Sequence, residues 1–278
     1  MKSLSFTMAL LFSLMAFAQS AWTLDKHNIY TQLNYSNISN YNTIFGSPGY
    51  MTERYITDNT IQFYIEYGLL KNTTLIASVP VKIIKTGDLS DVLNVAPVST
   101  SDSKTDIGNI AFGIKQQLIS NTWQLAAQLN VEANTGAFYA NSGIRTGYAA
   151  WTFTPTINLG RSYKSYYFQA FSGLELRTNN YSSNIKIGGE FGYKLFKPVF
   201  LILYIDMVQS LKNGNIDLPL SHQINALYVN NQSYGGYGLK VICEITEKSG
   251  ITTSFGGAFF GNNVAKKVAL NIGLYHKF

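Results

Sequence analysis

The sequence predicts an all-β protein, a transmembrane antiparallel up-and-down β-barrel of about twelve strands. Three observations lead there. Long segments alternate apolar and polar side chains, the period-two signature of strands with one apolar face. The connections between them alternate between short turns and longer polar loops. The chain closes on KKVALNIGLYHKF, an alternating stretch whose last residue is aromatic.

Composition agrees. The 278 residues are 46% hydrophobic but only 13% charged, against about 25% charged in a typical soluble domain. Nineteen Tyr, 17 Phe and 23 Gly suit a barrel that is apolar outside, polar inside and aromatic at the interfaces. Beyond the first twenty residues no apolar run approaches the roughly 18 residues of a helical span. Cys243 is the single cysteine, so no intrachain disulfide forms. The formal charge is +6, or +5 without Lys2 (21 − 1 − 15). Its basic residues are scattered rather than clustered, which argues against a nucleic-acid partner.

The N-terminus reads MKSLSFTMALLFSLMAFAQS. One early lysine, a short apolar run and small residues predict a cleaved secretory signal peptide over 1–20, cut after Ala18 or Ser20. A single barrel domain follows over 21–278, with no separate N-terminal plug domain before the first strand.

The strands follow in order. Residues 28–36 set Ile29, Leu33 and Tyr35 against Asn28, Gln32 and Asn34; 55–67 set Ile61, Phe63 and Ile65 against Gln62 and Glu66. Residues 74–84 are apolar on both parities, although Val79, Val81 and Ile83 oppose Ser78 and Lys82. Residues 107–118 place Ile110, Phe112 and Ile114 opposite Asn109, Lys115 and Gln117. The alternation is clearest in 122–134, where Trp123, Leu125, Leu129 and Val131 oppose Gln124, Gln128, Asn130 and Glu132. Then come 148–160 with Trp151, Phe153 and Ile157 on one face, 165–177 and 185–196. In 199–210, Asp206 shares a parity with Phe200, Ile202 and Tyr204, which weakens the face assignment there. Strands at 234–245, a Gly-rich 251–260 and 267–278 complete the set.

Short connections (69–72, 119–121, 161–164, 197–198, 246–250) alternate with a second set, most of it long and polar (37–53, 85–106, 135–147, 211–233), in which 178–184 and 261–266 are shorter. That asymmetry predicts periplasmic turns, extracellular loops and, with an even strand number, both termini in the periplasm. VALNIGLYHKF resembles the C-terminal signal of outer-membrane barrels, a resemblance that implies reading of Leu274, His276 and Phe278 by the barrel-assembly machinery. Tyr35, Tyr55, Tyr67, Trp123, Trp151, Tyr166, Tyr193 and Phe278 suit girdles at the lipid interfaces of an outer membrane.

The polar parity predicts a lumen lined by Glu66, Lys82, Lys115, Glu132, Glu175, Arg177, Lys186, Glu190, Lys194, Asp206, Lys240 and Glu244. Two readings stay open: a wet passage whose mixed charges bias what crosses, or ions that pair across the interior and fill it.

Chemistry finds little support. Among His27, His222 and His276, the residues two positions on are Ile29, Ile224 and Phe278, so the His-x-Ser of a barrel phospholipase is missing. A histidine–aspartate dyad of His222 with Asp217 or Asp206 is the remaining catalytic reading, weaker than a solvated loop histidine. No metal-ligand spacing, phosphate loop or dinucleotide fingerprint occurs, so neither catalysis nor a cofactor is expected.

Tyr67-Gly68-Leu69 through Asn72 with Val79-Pro80-Val81, Asp106-Ile107-Gly108-Asn109-Ile110 with Gly113-Ile114-Lys115, and Ala133-Asn134-Thr135-Gly136 resemble recurring motifs of an outer-membrane transporter family named after the meta pathway of phenol degradation. Asn109 stands where that family usually has Asp, and Asn134 where it has Pro. The resemblance implies a barrel that moves hydrophobic or aromatic small molecules, with Asn109 and Lys115 as structural positions. The function expected is an outer-membrane channel for small solutes. The alternative is a plugged barrel acting through its loops 37–53, 85–106 and 211–233.

Overall fold

A computed structural model describes residues 20–90 and 96–278 of the chain. The predicted signal peptide therefore lies, but for Ser20, outside the described residues, as does 91–95 within the 85–106 connection. In chain order the elements are β1 (Ile29–Phe45), β2 (Tyr50–Leu70), β3 (Thr73–Leu89), β4 (Asp102–Ile107), β5 (Ala111–Ser120), β6 (Gln124–Glu132), β7 (Phe138–Tyr139) and β8 (Ile144–Arg145). They continue as β9 (Thr152–Ser162), β10 (Tyr166–Arg177), β11 (Asn184–Phe196), β12 (Val199–Ser210), α1 (Leu220–Asn225), β13 (Ser233–Glu244), β14 (Ser249–Asn262), β15 (Val264–Ala265) and β16 (Ala269–Lys277).

Twelve antiparallel crossings close into a barrel. β4 and β5 are two parts of one crossing, β15 is a short addition at the loop rim, and β7 and β8 form a separate small hairpin. The terminal strand β16 pairs with β1 over Tyr30↔Lys277 to Asn37↔Leu270. This seam removes the open sheet edge that a lipid environment cannot satisfy.

The closure is in phase. Leu33 stands opposite Phe63 on one side and Leu274 on the other, and all three lie exposed on the outer wall. Their neighbours Gln32, Tyr64 and Tyr275, also mutually opposed, are buried inside. A one-residue slip would invert every side chain, so the apolar face fixes the register.

The crossing formed by β4 and β5 is interrupted at 108–110, and a proline explains it. Val81 pairs with Ile107 and Ser78 with Ala111, leaving Pro80, which has no N–H to donate, opposite the gap. The Gly108 N–H still reaches the Pro80 carbonyl at 2.8 Å.

Two predicted loops contain strand extensions. Residues 37–45 and 50–53 extend the β1–β2 hairpin, and 85–89 with 102–106 extend β3 and its partner. Above the lipid both faces of a strand meet water or other loops, so no apolar parity betrays these extensions. The 211–233 connection carries α1 and 135–147 carries the β7–β8 hairpin. No helix among the described residues is long and apolar enough to cross a membrane.

Of the predicted girdle residues, Tyr35, Trp123, Trp151, Tyr166, Tyr193 and Phe278 are exposed on the wall, whereas Tyr55 and Tyr67 are half-buried.

Candidate functional site

The lumen is the candidate site, and the inward parity of the strands builds it in layers. At the rim of short turns, the stretch before β1 enters the barrel. Ala21 N–H donates to Gln169 Oε1 (3.3 Å), Gln117 Nε2 donates to the Ala21 carbonyl (3.0 Å), and Leu24 N–H donates to Thr74 Oγ1 (2.8 Å). Trp22 lies against Gly160, where a Cβ would come within 2.7 Å of its ring, and meets Tyr167 edge-on at 6.0 Å between ring centroids. Inward Tyr30, Tyr64, Ile76, Ile202, Ile242 and Tyr275 join it in one apolar cluster. Ser20–Leu24 thus form a short stopper.

The middle layer holds separate ion pairs. Lys115 Nζ lies 3.6 Å from Glu66 Oε1 and Lys240 Nζ 3.8 Å from Glu190 Oε2, while nearer the loop rim, beside the Tyr228 ring, Lys82 Nζ lies 2.7 Å from Asp58 Oδ1. Glu190 also accepts hydrogen bonds from Tyr167 Oη (2.7 Å) and Gln169 Nε2 (2.9 Å). Nearer the loop rim, Glu175 takes Arg177 at 2.6 Å and Lys186 at 3.7 Å, and Glu132 feels the charges of all three. Tyr234 Oη donates to Asp206 Oδ2 at 3.2 Å. Pairing of this kind offsets the desolvation that lone buried ions would suffer.

The lumen is not filled throughout. Beside β11–β14 a cavity of about 290 Å³ remains, bounded by Glu190, Asp206 and Lys240 on its polar side and by Ile38, Phe171 and Val264 on its apolar side.

The loop rim is capped from inside. α1 and the β7–β8 hairpin meet where Asn225 Nδ2 donates to the Ser142 carbonyl at 2.8 Å. Gly143, at φ 66°, is where a side chain would collide with the Ser221 carbonyl, so this contact needs glycine. Ile144, Ala226 and Leu227 pack onto Ile44, Ile56 and Ile84 of the strands. The Arg177 guanidinium lies 3.9 Å from the Tyr148 ring centroid, coupling the ion cluster to the cap. Burial first, and the Arg145 guanidinium second, push the His222 imidazole below its ordinary value.

Residues 52–198, more than half of the chain, match the family described as "Putative MetA-pathway of phenol degradation". The chain belongs to that family. Its match takes in all the stretches whose resemblance was noted between 67 and 136. Among solved structures, an outer membrane channel from Pseudomonas putida F1 is 12% identical, with a TM-score of 0.69 over 93% of this chain and 98% of that one. The NanC porin is 7% identical (TM-score 0.55; 90% of this chain, 100% of that one). The CymD monoaromatic hydrocarbon channel is 8% identical (TM-score 0.51; 92% and 89%). At these identities the likeness is one of fold. No curated protein matches the chain.

Within this family fold the predicted lumenal residues fall into groups. Glu132, Glu175, Arg177, Lys186 and Asp206 converge below the cap, whereas Glu66 with Lys115 and Glu190 with Lys240 pair separately. Lys82 joins Asp58. Lys194 lies toward the turn rim, 5.0 Å from the Phe200 ring, and Glu244 is half-buried near the β13–β14 turn. Asn109 Nδ2 donates to the Ala133 and Tyr148 carbonyls at 2.8 and 3.0 Å, tying the break in its strand to the neighbouring loop. Leu274 and Phe278 are exposed on the outer wall, and His276 Nδ1 lies 2.7 Å from Ser249 Oγ. Sequence reasoning missed the inward Tyr30, Tyr64, Tyr167, Tyr275 and Trp22; the doubly apolar 74–84 and the mixed 199–210 were its signals, since Ile76 and Ile202 belong to the same cluster.

Proposed function

We propose that the protein is a passive outer-membrane channel for small hydrophobic or aromatic molecules. The observation that carries this reading is a closed barrel with an apolar outer wall whose lumen keeps an open cavity lined by both polar and apolar groups. Two proteins of the same fold fit it: one is an outer membrane channel, the other a monoaromatic hydrocarbon channel.

On this reading the precursor carries a signal peptide over 1–20, removed after Ala18 or Ser20, and 21–278 is one barrel domain. Leu274, His276 and Phe278 address the chain to the barrel-assembly machinery, and the wall residues meet outer-membrane lipid.

Catalysis has no part in this account. The likeness in fold to channels and porins supports this non-catalytic reading, and the Ser249–His276 contact at the turn rim is assigned no catalytic role.

The stopper Ser20–Leu24 and the inward-folded cap favour a second reading, a plugged barrel that acts through its extracellular loops. Uptake of small aromatic solutes into proteoliposomes separates the two. The channel reading expects entry faster than into protein-free vesicles. Entry no faster than that, for any solute, contradicts it and favours the plugged barrel.

A further inference from the structure

The arginines of the chain lie inside the barrel or under its cap, with one exception. Arg54 and Arg145 are buried, and Arg177 pairs with Glu175. Arg161, at the turn-side end of β9, points the other way. Gly160 before it carries Trp22 on the lumenal side, so Arg161 continues the outward column of Ile157 and Leu159, both exposed on the wall.

An arginine on a lipid-facing wall is costly at the bilayer midplane and nearly free of cost at the interface. The rings around Arg161 place it at the interface. Its guanidinium carbon lies 5.3 Å from the Trp123 ring centroid and 4.8 Å from that of Tyr163. Trp123 meets Phe168 edge-on at 5.5 Å, and Tyr163 stacks on Tyr166 at 4.5 Å. Exposed Trp and Tyr gather at headgroup level. Stacking engages the faces of the planar cation and leaves its N–H edge for an oxyanion, which a guanidinium can grip with two parallel hydrogen bonds.

No side chain of the barrel supplies that oxyanion. Among the described residues Arg161 joins no ion pair. No Asp or Glu occurs in 119–131, 151–174 or 191–205, the stretches that carry this side of the wall. Lys164 in the adjoining turn and Lys197 in the next one are exposed. The Lys194 N–H donates to the Ser165 carbonyl at 2.7 Å, which ties the first turn to the strand that leads into the second. The patch is thus a ring-flanked guanidinium within an uncompensated positive field. With the short turns in the periplasm, as the connection lengths predict, it lies level with the phospholipid headgroups of the inner leaflet.

We propose that Arg161, flanked by Trp123 and Tyr163, seats the phosphate of an anionic phospholipid, with Lys164 and Lys197 favouring a headgroup of net negative charge over a zwitterionic one. Basic sites at membrane-protein surfaces take such headgroups. The inference goes beyond the channel reading and holds whether or not the lumen conducts.

The test reads Trp123 fluorescence in the refolded mature chain, where Trp22→Phe and Trp151→Phe leave Trp123 as the sole indole. The vesicles are phosphatidylcholine doped with dibrominated phosphatidylglycerol or, at the same fraction, dibrominated phosphatidylcholine. Bromine quenches at short range, so the excess quenching by the first reports enrichment of the anionic lipid beside Trp123. The seat predicts an enrichment of about fivefold, the worth of one basic side chain at a charged membrane surface. Arg161→Gln should remove it. A companion chain that keeps Trp151 alone, at the loop-side end of the same strand, should be quenched equally by both lipids. The heat-dependent gel shift verifies that each variant is folded. Equal quenching of Trp123 by the two lipids overturns the proposal, as does an enrichment that survives Arg161→Gln or is shared by Trp151.

Discussion

Asn109 shows what a single side chain holds. Its amide donates to two carbonyls, and Gly147 leaves the room that its Oδ1 occupies. Asn109→Ala should cost about 1–3 kcal/mol, because the Ala133 and Tyr148 carbonyls lose their donor, and Asn109→Asp should cost at least as much, since a carboxylate cannot donate to either. Chemical denaturation in detergent checks both, and an aspartate variant as stable as wild type would contradict this assignment. The sequence marked Asn109 as a departure from the family pattern, but not its partners, which come from a loop and a strand end far along the chain. His222 gives the pH dependence at the same scale. Its depressed pKa means that the folded cap resists charging the ring, whereas an opened cap does not. The cap is therefore fully stable above the ordinary histidine value of about 6.5 and loses stability as the pH falls below it. Amide exchange over 220–227, corrected for intrinsic rates, should show protection falling between pH 7.5 and 5.5 in wild type and not in His222→Asn; an equal fall in both would remove the histidine from the explanation.

Strands were the most legible elements. Residues 199–210 were expected and β12 spans Val199–Ser210, while 165–177 became Tyr166–Arg177. Lipid on one side and a wet interior on the other write a period of two into the sequence. The signal stops where the lipid stops, which is why the upper parts of β1, β2 and β3 looked like loops. α1, six residues long, is too short to show a helical period. In β12 the outward Leu203 is exposed to the surroundings of the barrel, whereas Ile202 is fully buried. Leu203→Arg should therefore destabilise the folded barrel by about 2–4 kcal/mol if it sits near the bilayer midplane. A negligible change in lipid-vesicle unfolding would mean that the faces of this strand are reversed.

Across the whole molecule, closure and blockage come from different parts of the chain. The seam between β1 and β16 satisfies the backbone, while Ser20–Leu24 at one end and α1 with the β7–β8 hairpin at the other occupy the lumen. Neither blockage was legible, since a stretch of five residues has no periodicity to read and the cap depends on contacts between distant loops. Parity alone offers the charges as lumenal candidates, while which of them pair depends on register, as with Glu66 and Lys115 lying two strands apart. If the stopper gates the lumen, its anchor is Trp22, resting on Gly160 and Tyr167. The measurement that tests the channel most directly is the single-channel conductance of the refolded mature protein in a planar bilayer, wild type beside Trp22→Ala. The account predicts discrete conductance steps that grow when the indole is removed. Silence from both proteins, each shown to be folded by its heat-dependent gel shift, would contradict it.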